Sequence, residues 1–91
     1  MVDYHIRILS TAAEELSRLD RPTRRRVIQR IHWLAKNLED IKHEFLKGEL
    51  SSLCKLRAGE YRIVYEILHD EQILMIHLIG HRREIYKKRK K

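Results

Sequence analysis

The sequence predicts an α+β domain. Two helices pack on one face of a small twisted sheet of about four strands, mostly antiparallel, in the order β-α-α-β-β-β. Three observations carry this. Val27, Ile31, Leu34, Ala35 and Leu38 recur at helical spacing. Residues 53–67 alternate in polarity about a central Gly59-Glu60, as a two-faced hairpin does. Residues 73–80 form an apolar run too short to span a bilayer and carrying His77, which suits a central strand. Consecutive helices beside consecutive strands put the helices together on one sheet face.

Taken in order, Tyr4, Ile6 and Ile8 alternate with His5 and Arg7 and predict a first strand. Thr11 followed by Glu14 has the spacing of a capping box, so a helix is expected to start near residue 11. Its buried side would be Ala12, Ala13, Leu16 and Leu19. Asp20-Arg21-Pro22 marks a break and a restart, because proline fits the first helical turn. The second helix carries Ile28 beside its apolar stripe and Arg24, Arg25, Arg26, Arg30 and Lys36 on a solvated outer face. Residues 39–52 keep no period and are expected to be loop, with Phe45, Leu46 and Leu50 folded onto the core edge. After His69-Asp70-Glu71, a turn cluster, the strand 73–80 follows and Gly80 ends it. The first strand must arrive by a helical crossover, which allows parallel pairing with residues 73–79. Glu84-Ile85-Tyr86 is expected to be a short strand or one helical turn.

Ninety-one residues make one domain, assigned to 1–86, with a basic tail at 87–91. Twenty Lys and Arg against 13 Asp and Glu give a net charge of +7, which favours an anionic partner. A single cysteine, Cys54, cannot form an internal disulfide, and residues 1–15 lack a continuous apolar run. Together these point to a reducing, cytoplasmic setting without a secretory leader or membrane association. The histidines lack zinc-binding spacing, and no metal or cofactor is expected.

A turn at Gly59-Glu60, of type II′ with glycine at its first central position, sets Ala58 opposite Tyr61, Arg57 opposite Arg62 and Lys55 opposite Val64. One face then carries Cys54, Leu56, Ala58, Tyr61, Ile63, Tyr65 and Ile67. The other carries Leu53, Lys55, Arg57, Arg62, Val64 and Glu66. Like charges across a strand pair are destabilising, so Arg57 facing Arg62 suggests a visiting anion such as phosphate. A solvated basic face is the plainer alternative. Trp33 is expected to make a packing or protein contact.

Leu46-Lys47-Gly48, the segment 56–65 and Gly80-His81-Arg82-Arg83-Glu84-Ile85-Tyr86 together resemble the signature of the RelE/ParE toxin superfamily, and within it the RelE branch. The element order agrees over nearly the whole chain. The resemblance implies a toxin of a type II toxin–antitoxin system, bound by a cognate antitoxin and acting on the ribosome as a metal-free mRNA endoribonuclease. By position it makes Lys55, Arg57, Arg62, Arg82 and Tyr86 the functional residues. Leu53 stands where relatives often carry a further lysine.

In such chemistry Arg57 and Arg62 would present fork-shaped donors to a phosphate under attack. Lys55 would serve as base. Tyr86 would transfer a proton or stack on a base, and His81 is the candidate general acid. Lys47, Arg83, Lys87 and Lys88 would add RNA contacts. The alternatives are a ParE-like DNA gyrase poison on the same fold, or a non-catalytic relative that binds nucleic acid or antitoxin.

Overall fold

The computed structural model describes residues 4–86. The chain runs through β1 (His5–Ile8), α1 (Ser10–Arg18), α2 (Arg21–Lys36), β2 (Glu44–Phe45), a single 3-10 turn (Gly48–Leu50), β3 (Cys54–Ala58), β4 (Tyr61–Leu68) and β5 (Ile73–His81). The strands form one sheet in the order β1-β5-β4-β3-β2. β1 lies parallel to β5, with His5 against Ile73 and Ile8 against Ile76, and every other pairing is antiparallel. The α+β class, the helical crossover and the central place of residues 73–80 all agree with the sequence reading.

The sheet has five strands rather than four. The extra one is β2, where Glu44 pairs with Lys55 and Phe45 with Cys54. Two residues are too few to show a period, so this segment read as loop. Leu46 and Leu50 do pack inward, but Phe45 is 57% exposed and does not reach the core edge.

Helix α1 departs from the expected capping box. It begins at Ser10 after Leu9, with no side-chain cap. Leu9 still donates its N–H to Ile76 O in the sheet (3.0 Å), so β1 feeds directly into the helix. That leaves Thr11 inside the first turn, where its Oγ1 donates to His77 O (3.3 Å). Ala12 is fully buried and Leu16 and Leu19 pack on the core, while Ala13 is exposed. Helix α2 follows its pattern. Pro22 sits in its first turn, and Val27, Ile31 and Leu34 are buried, with Leu38 buried beyond its end. Ile28 lies off the stripe and is 37% exposed.

Two cores result. The larger lies between the helices and the sheet and gathers Ala12, Val27, Leu34, Ile63, Tyr65, Leu74 and Ile76. The smaller covers part of the opposite sheet face. Leu53, Val64 and Ile85 are buried there, with Leu46, Leu50, Leu78 and Tyr86 against them. Leu53 and Val64 are the apolar members of the face that otherwise reads as basic, and the chain beyond β5 turns back to cover them. The turn is helical, since Glu84 and Ile85 both donate N–H to His81 O (2.9 Å each).

Gly59 and Gly80 serve different needs. At the β3–β4 turn Gly59 has φ +63°, and Glu60 is not among the residues of positive φ, as a type II′ turn requires. Gly80 does not end its strand, because β5 continues to His81. A Cβ at position 80 would stand 3.2 Å from Ile85 Cβ, so glycine lets the returning turn approach the sheet. Between β4 and β5 the register shifts: Val64 faces Leu78 while Tyr65 faces Ile76. His77 is the bulged residue, and its Nε2 meets Glu66 Oε1 at 3.0 Å.

Candidate functional site

The β3–β4 hairpin pairs as its sequence predicts, with Arg57 opposite Arg62 and Ala58 opposite Tyr61. Arg57, Arg62 and Arg82 converge on one pocket of about 320 Å³, completed by Gly59 and Glu60. Sheet pairing and the turn after β5 bring them together. Arg82 donates its backbone N–H to Glu60 O (2.9 Å), which fixes the chain beyond β5 to the hairpin tip.

Each guanidinium is held differently. Arg62 Nη1 donates to Gly59 O and Tyr61 O, both at 3.0 Å, so its head folds back over its own turn. Arg82 Nε donates to Glu60 Oε1 at 2.7 Å. The Arg57 head has no hydrogen-bond or ion-pair partner among the described residues. Glu60 is thus the counter-charge in the pocket. Its carboxyl is held below the usual carboxylate range by the Arg82 hydrogen bond first, then by the charges of Arg82, His81 and Arg62. A carboxyl depressed in the folded state stabilises above its unfolded range, and that contribution is lost as pH falls through the depressed value.

The remaining candidates lie around this pocket. His81 Nε2 is 4.0 Å from Glu60 Oε1, and its Nδ1 accepts the Arg83 N–H (3.2 Å). The ring also meets Tyr61 edge-on, with centroids 5.5 Å apart, so His81 finishes the strand end and shapes the rim. Lys55 does not join the arginines. Its Nζ is 3.3 Å from Glu44 Oε2 on β2 and 5.9 Å from the Tyr86 ring centre. Arg83 and Lys47 are exposed, the latter just before the 3-10 turn. Lys87 and Lys88 lie outside the described residues.

Tyr86 is turned inward. Its ring packs on the smaller core, and its hydroxyl is buried with no hydrogen-bond partner among the described residues. A buried hydroxyl without a partner costs about 1–3 kcal/mol. Tyr86→Phe is therefore expected to leave urea-denaturation stability unchanged or raise it by up to about that amount. A clear loss of stability would show that the hydroxyl has a partner in solution.

Sequence reasoning missed four contributors. Glu60 read only as a turn residue, although it supplies the charge around which the arginines gather. Glu44 lies on the two-residue β2, too short to show a period in the sequence. Two arginines of the supposedly solvated α2 face reach the hairpin. Arg30 Nε donates to Arg57 O (2.9 Å) while its guanidinium lies 4.5 Å over the Trp33 ring. Arg26 Nη1 lies 2.9 Å from where a Cβ at Gly59 would stand. The useful signal was spacing: residues 26 and 30 are one turn apart on one helix face.

Among the described residues, no group of three or more His, Cys, Asp or Glu side chains is placed to hold a metal ion. No helix among them is long and apolar enough to cross a membrane.

The family model for the ParE toxin of the type II toxin–antitoxin system parDE matches residues 6–86. Among solved structures, the chain is similar to one from the toxin–antitoxin complex RelBE2 of Mycobacterium tuberculosis. Identity is 26% and the TM-score 0.79, over 89% of this chain and 100% of that one. It is also similar to an E. coli RelE toxin mutant in the free state, at 20% identity and TM-score 0.76, over 94% and 93% of the two chains. A YoeB/ParE toxin from Agrobacterium tumefaciens matches at 18% identity and TM-score 0.72, over 85% and 96%. The last two likenesses concern the fold. No curated protein matches the sequence.

The family match corrects the enzymatic expectation. Toxins of the ParE family act as gyrase poisons without catalysing a reaction, so the assignment of an mRNA endoribonuclease does not stand. The general-base and general-acid roles given to Lys55, His81 and Tyr86 fall with it. With its model matching from within β1 through both helices and the other four strands, the chain belongs to the ParE toxin family, within the RelE/ParE superfamily of type II toxin–antitoxin systems.

Proposed function

We propose that this toxin acts by binding rather than by catalysis, and that it poisons DNA gyrase as ParE-type toxins do. The observation that carries the reading is the family match over residues 6–86. The side-chain geometry is compatible with it. Lys55 is occupied by Glu44, Arg82 by Glu60, and the Tyr86 hydroxyl points away from solvent. Such a set favours a surface that grips charge over one that moves protons.

The partner that silences the toxin is a cognate antitoxin. Several solved structures of similar fold are toxin–antitoxin complexes. A net charge of +7 favours an acidic or amphipathic antitoxin segment and fast association with it at low salt.

Induction of the toxin without its antitoxin tests the target. Gyrase-linked DNA breaks and loss of supercoiling are expected while protein synthesis still proceeds, with the 5′ ends of mRNA unchanged. If translation stops first and mRNA is cut on the ribosome, gyrase is not the target and the proposal fails.

A further inference from the structure

Helix α2 is tied to the hairpin by a side chain that crosses an open sheet edge. We infer that Arg30, braced on Trp33, is a positioning residue: it closes the outer edge of β3 and holds the hairpin tip in the shape that the toxin's target meets. The functional half of this rests on the gyrase reading, and the structural half does not.

The first observation is where the sheet lacks a strand. β2 covers β3 only at Cys54 and Lys55. Across the two-residue turn Ala58 and Tyr61 exchange their backbone bonds, so Arg57, in the next pair with Arg62, turns its N–H and C=O outward. Among the described residues no strand lies beside it there. An uncovered edge is a template for pairing with a foreign strand, and native sheets cover or blunt it. Arg30 supplies the cover, since its Nε donates to Arg57 O at 2.9 Å.

The second is how that donor is held. The Arg30 guanidinium lies 4.5 Å over the Trp33 ring. A planar cation stacked on an aromatic face is already oriented, so less freedom is lost when it bonds. Trp33 is 40% exposed and belongs to neither core. Its ring serves as the seat of Arg30.

The third is what the edge supports. Gly59 and Glu60 at the tip are exposed, and Glu60 O accepts the Arg82 N–H (2.9 Å). Helix α2 is anchored in the main core by Val27, Ile31 and Leu34. Arg30 therefore ties an exposed tip to a rigid element. Arg26, one helical turn earlier, follows the same line to the turn itself.

The test compares the wild-type full chain with Arg30→Ala, Arg30→Lys, Trp33→Phe and Arg25→Ala. The last removes the same charge from an exposed position on α2. Three quantities are read: amide hydrogen exchange at Tyr61 and Arg82, emission of Trp33, the single tryptophan, and DNA cleavage by purified gyrase. Arg30→Ala is expected to raise exchange at both amides about three- to tenfold, the weight of one hydrogen bond. Its urea midpoint and the exchange of α2 should stay close to wild type, Trp33 emission should change, and gyrase-linked cleavage should fall by a similar factor. Trp33→Phe keeps an aromatic seat and should match wild type in exchange and cleavage. Arg30→Lys keeps a charge and a donor without the planar stack and should fall between. Arg25→Ala should match wild type throughout.

Unchanged exchange in Arg30→Ala overturns the inference. A loosened tip with undiminished cleavage overturns the positioning role, and an equal loss in Arg25→Ala shows net charge at work instead. If the wild-type toxin itself produces no gyrase-linked cleavage, the gyrase reading fails, and the exchange data alone decide whether Arg30 holds the tip.

Discussion

Ile85→Ala is expected to cost about 2–5 kcal/mol, the range for truncating a large aliphatic side chain in a core. Ile85 has no exposed surface and, with Leu53 and Val64, anchors the smaller core. Losing it leaves a cavity that Leu46, Leu50, Leu78 and Tyr86 surround but cannot fill without moving. A domain of this size has total stability of roughly 5–15 kcal/mol, so the variant should show a large fall in its urea midpoint. The effect reaches the candidate site, because Ile85 holds down the helical turn that carries Arg82. Hydrogen exchange at residues 82–86 should therefore rise more than in helix α2.

The mirror experiment is Gly80→Ala. Its Cβ would stand 3.2 Å from Ile85 Cβ and 3.4 Å from Cγ1, and overpacking of this kind costs about 1–3 kcal/mol. The double variant should fall only slightly short of the sum of the two, since Ile85→Ala removes Cγ1 at 3.4 Å but keeps the Cβ that stands 3.2 Å from the new methyl. A shortfall as large as the Gly80→Ala cost itself would show that the clash is made by the side chain beyond Cβ, contrary to the geometry.

Much of this fold could be read from period and turn chemistry. The stripe Val27–Ile31–Leu34–Leu38 and the Gly59-Glu60 hairpin register appear in the structure at the expected residues. What escaped did so for physical reasons. β2 is two residues long, and its stability comes from pairing with β3 rather than from any pattern of its own. The capping box failed because Leu9 is still bonded to β5, so tertiary pairing set where α1 begins. Gly80 read as a strand terminator, yet its role depends on Ile85 returning across the sheet, and that return is a long-range fact.

The candidate site was legible as a list of cations but not as an electrostatic arrangement. Alternation put Arg57 and Arg62 on one face, which the pairing reproduces. It also put Lys55 there, yet Glu44 draws Lys55 towards β2 and away from the pocket. Nothing in local sequence links Glu60 to Arg82, residues more than twenty positions apart whose contact depends on β5 and the turn after it. The resemblance to the RelE branch supplied an enzymatic expectation on this basis. Shared cations and a shared fold do not by themselves settle the chemistry, since function resides in the site and its partners.

Tyr65→Ala is expected to be the most damaging single change, at about 3–5 kcal/mol by analogy with other buried aromatic truncations. Tyr65 is the largest fully buried side chain and is only 1% exposed. It also carries a polar link. His43 Nε2 donates to Leu38 O (2.7 Å), so in the neutral ring Nδ1 is the acceptor and the Tyr65 hydroxyl donates to it (2.6 Å). Burial, and then the neighbouring Cys54 thiol, push the Tyr65 phenol well above its ordinary range, which keeps it a protonated donor. The chain Leu38–His43–Tyr65 thereby fastens the segment after α2 to the sheet, one residue before Glu44 and β2.

Tyr65→Phe isolates that link from the packing. It keeps the ring but leaves His43 Nδ1 without its donor, a loss of about 1–3 kcal/mol. The two variants should differ in where they loosen. Tyr65→Ala should open the main core throughout, whereas Tyr65→Phe should raise hydrogen exchange chiefly in residues 39–46, freeing Lys55 from Glu44 as β2 detaches. If Tyr65→Phe matches wild type in both stability and exchange, His43 is satisfied by water and the link contributes only geometry. In that case ring volume alone would account for the effect of Tyr65→Ala.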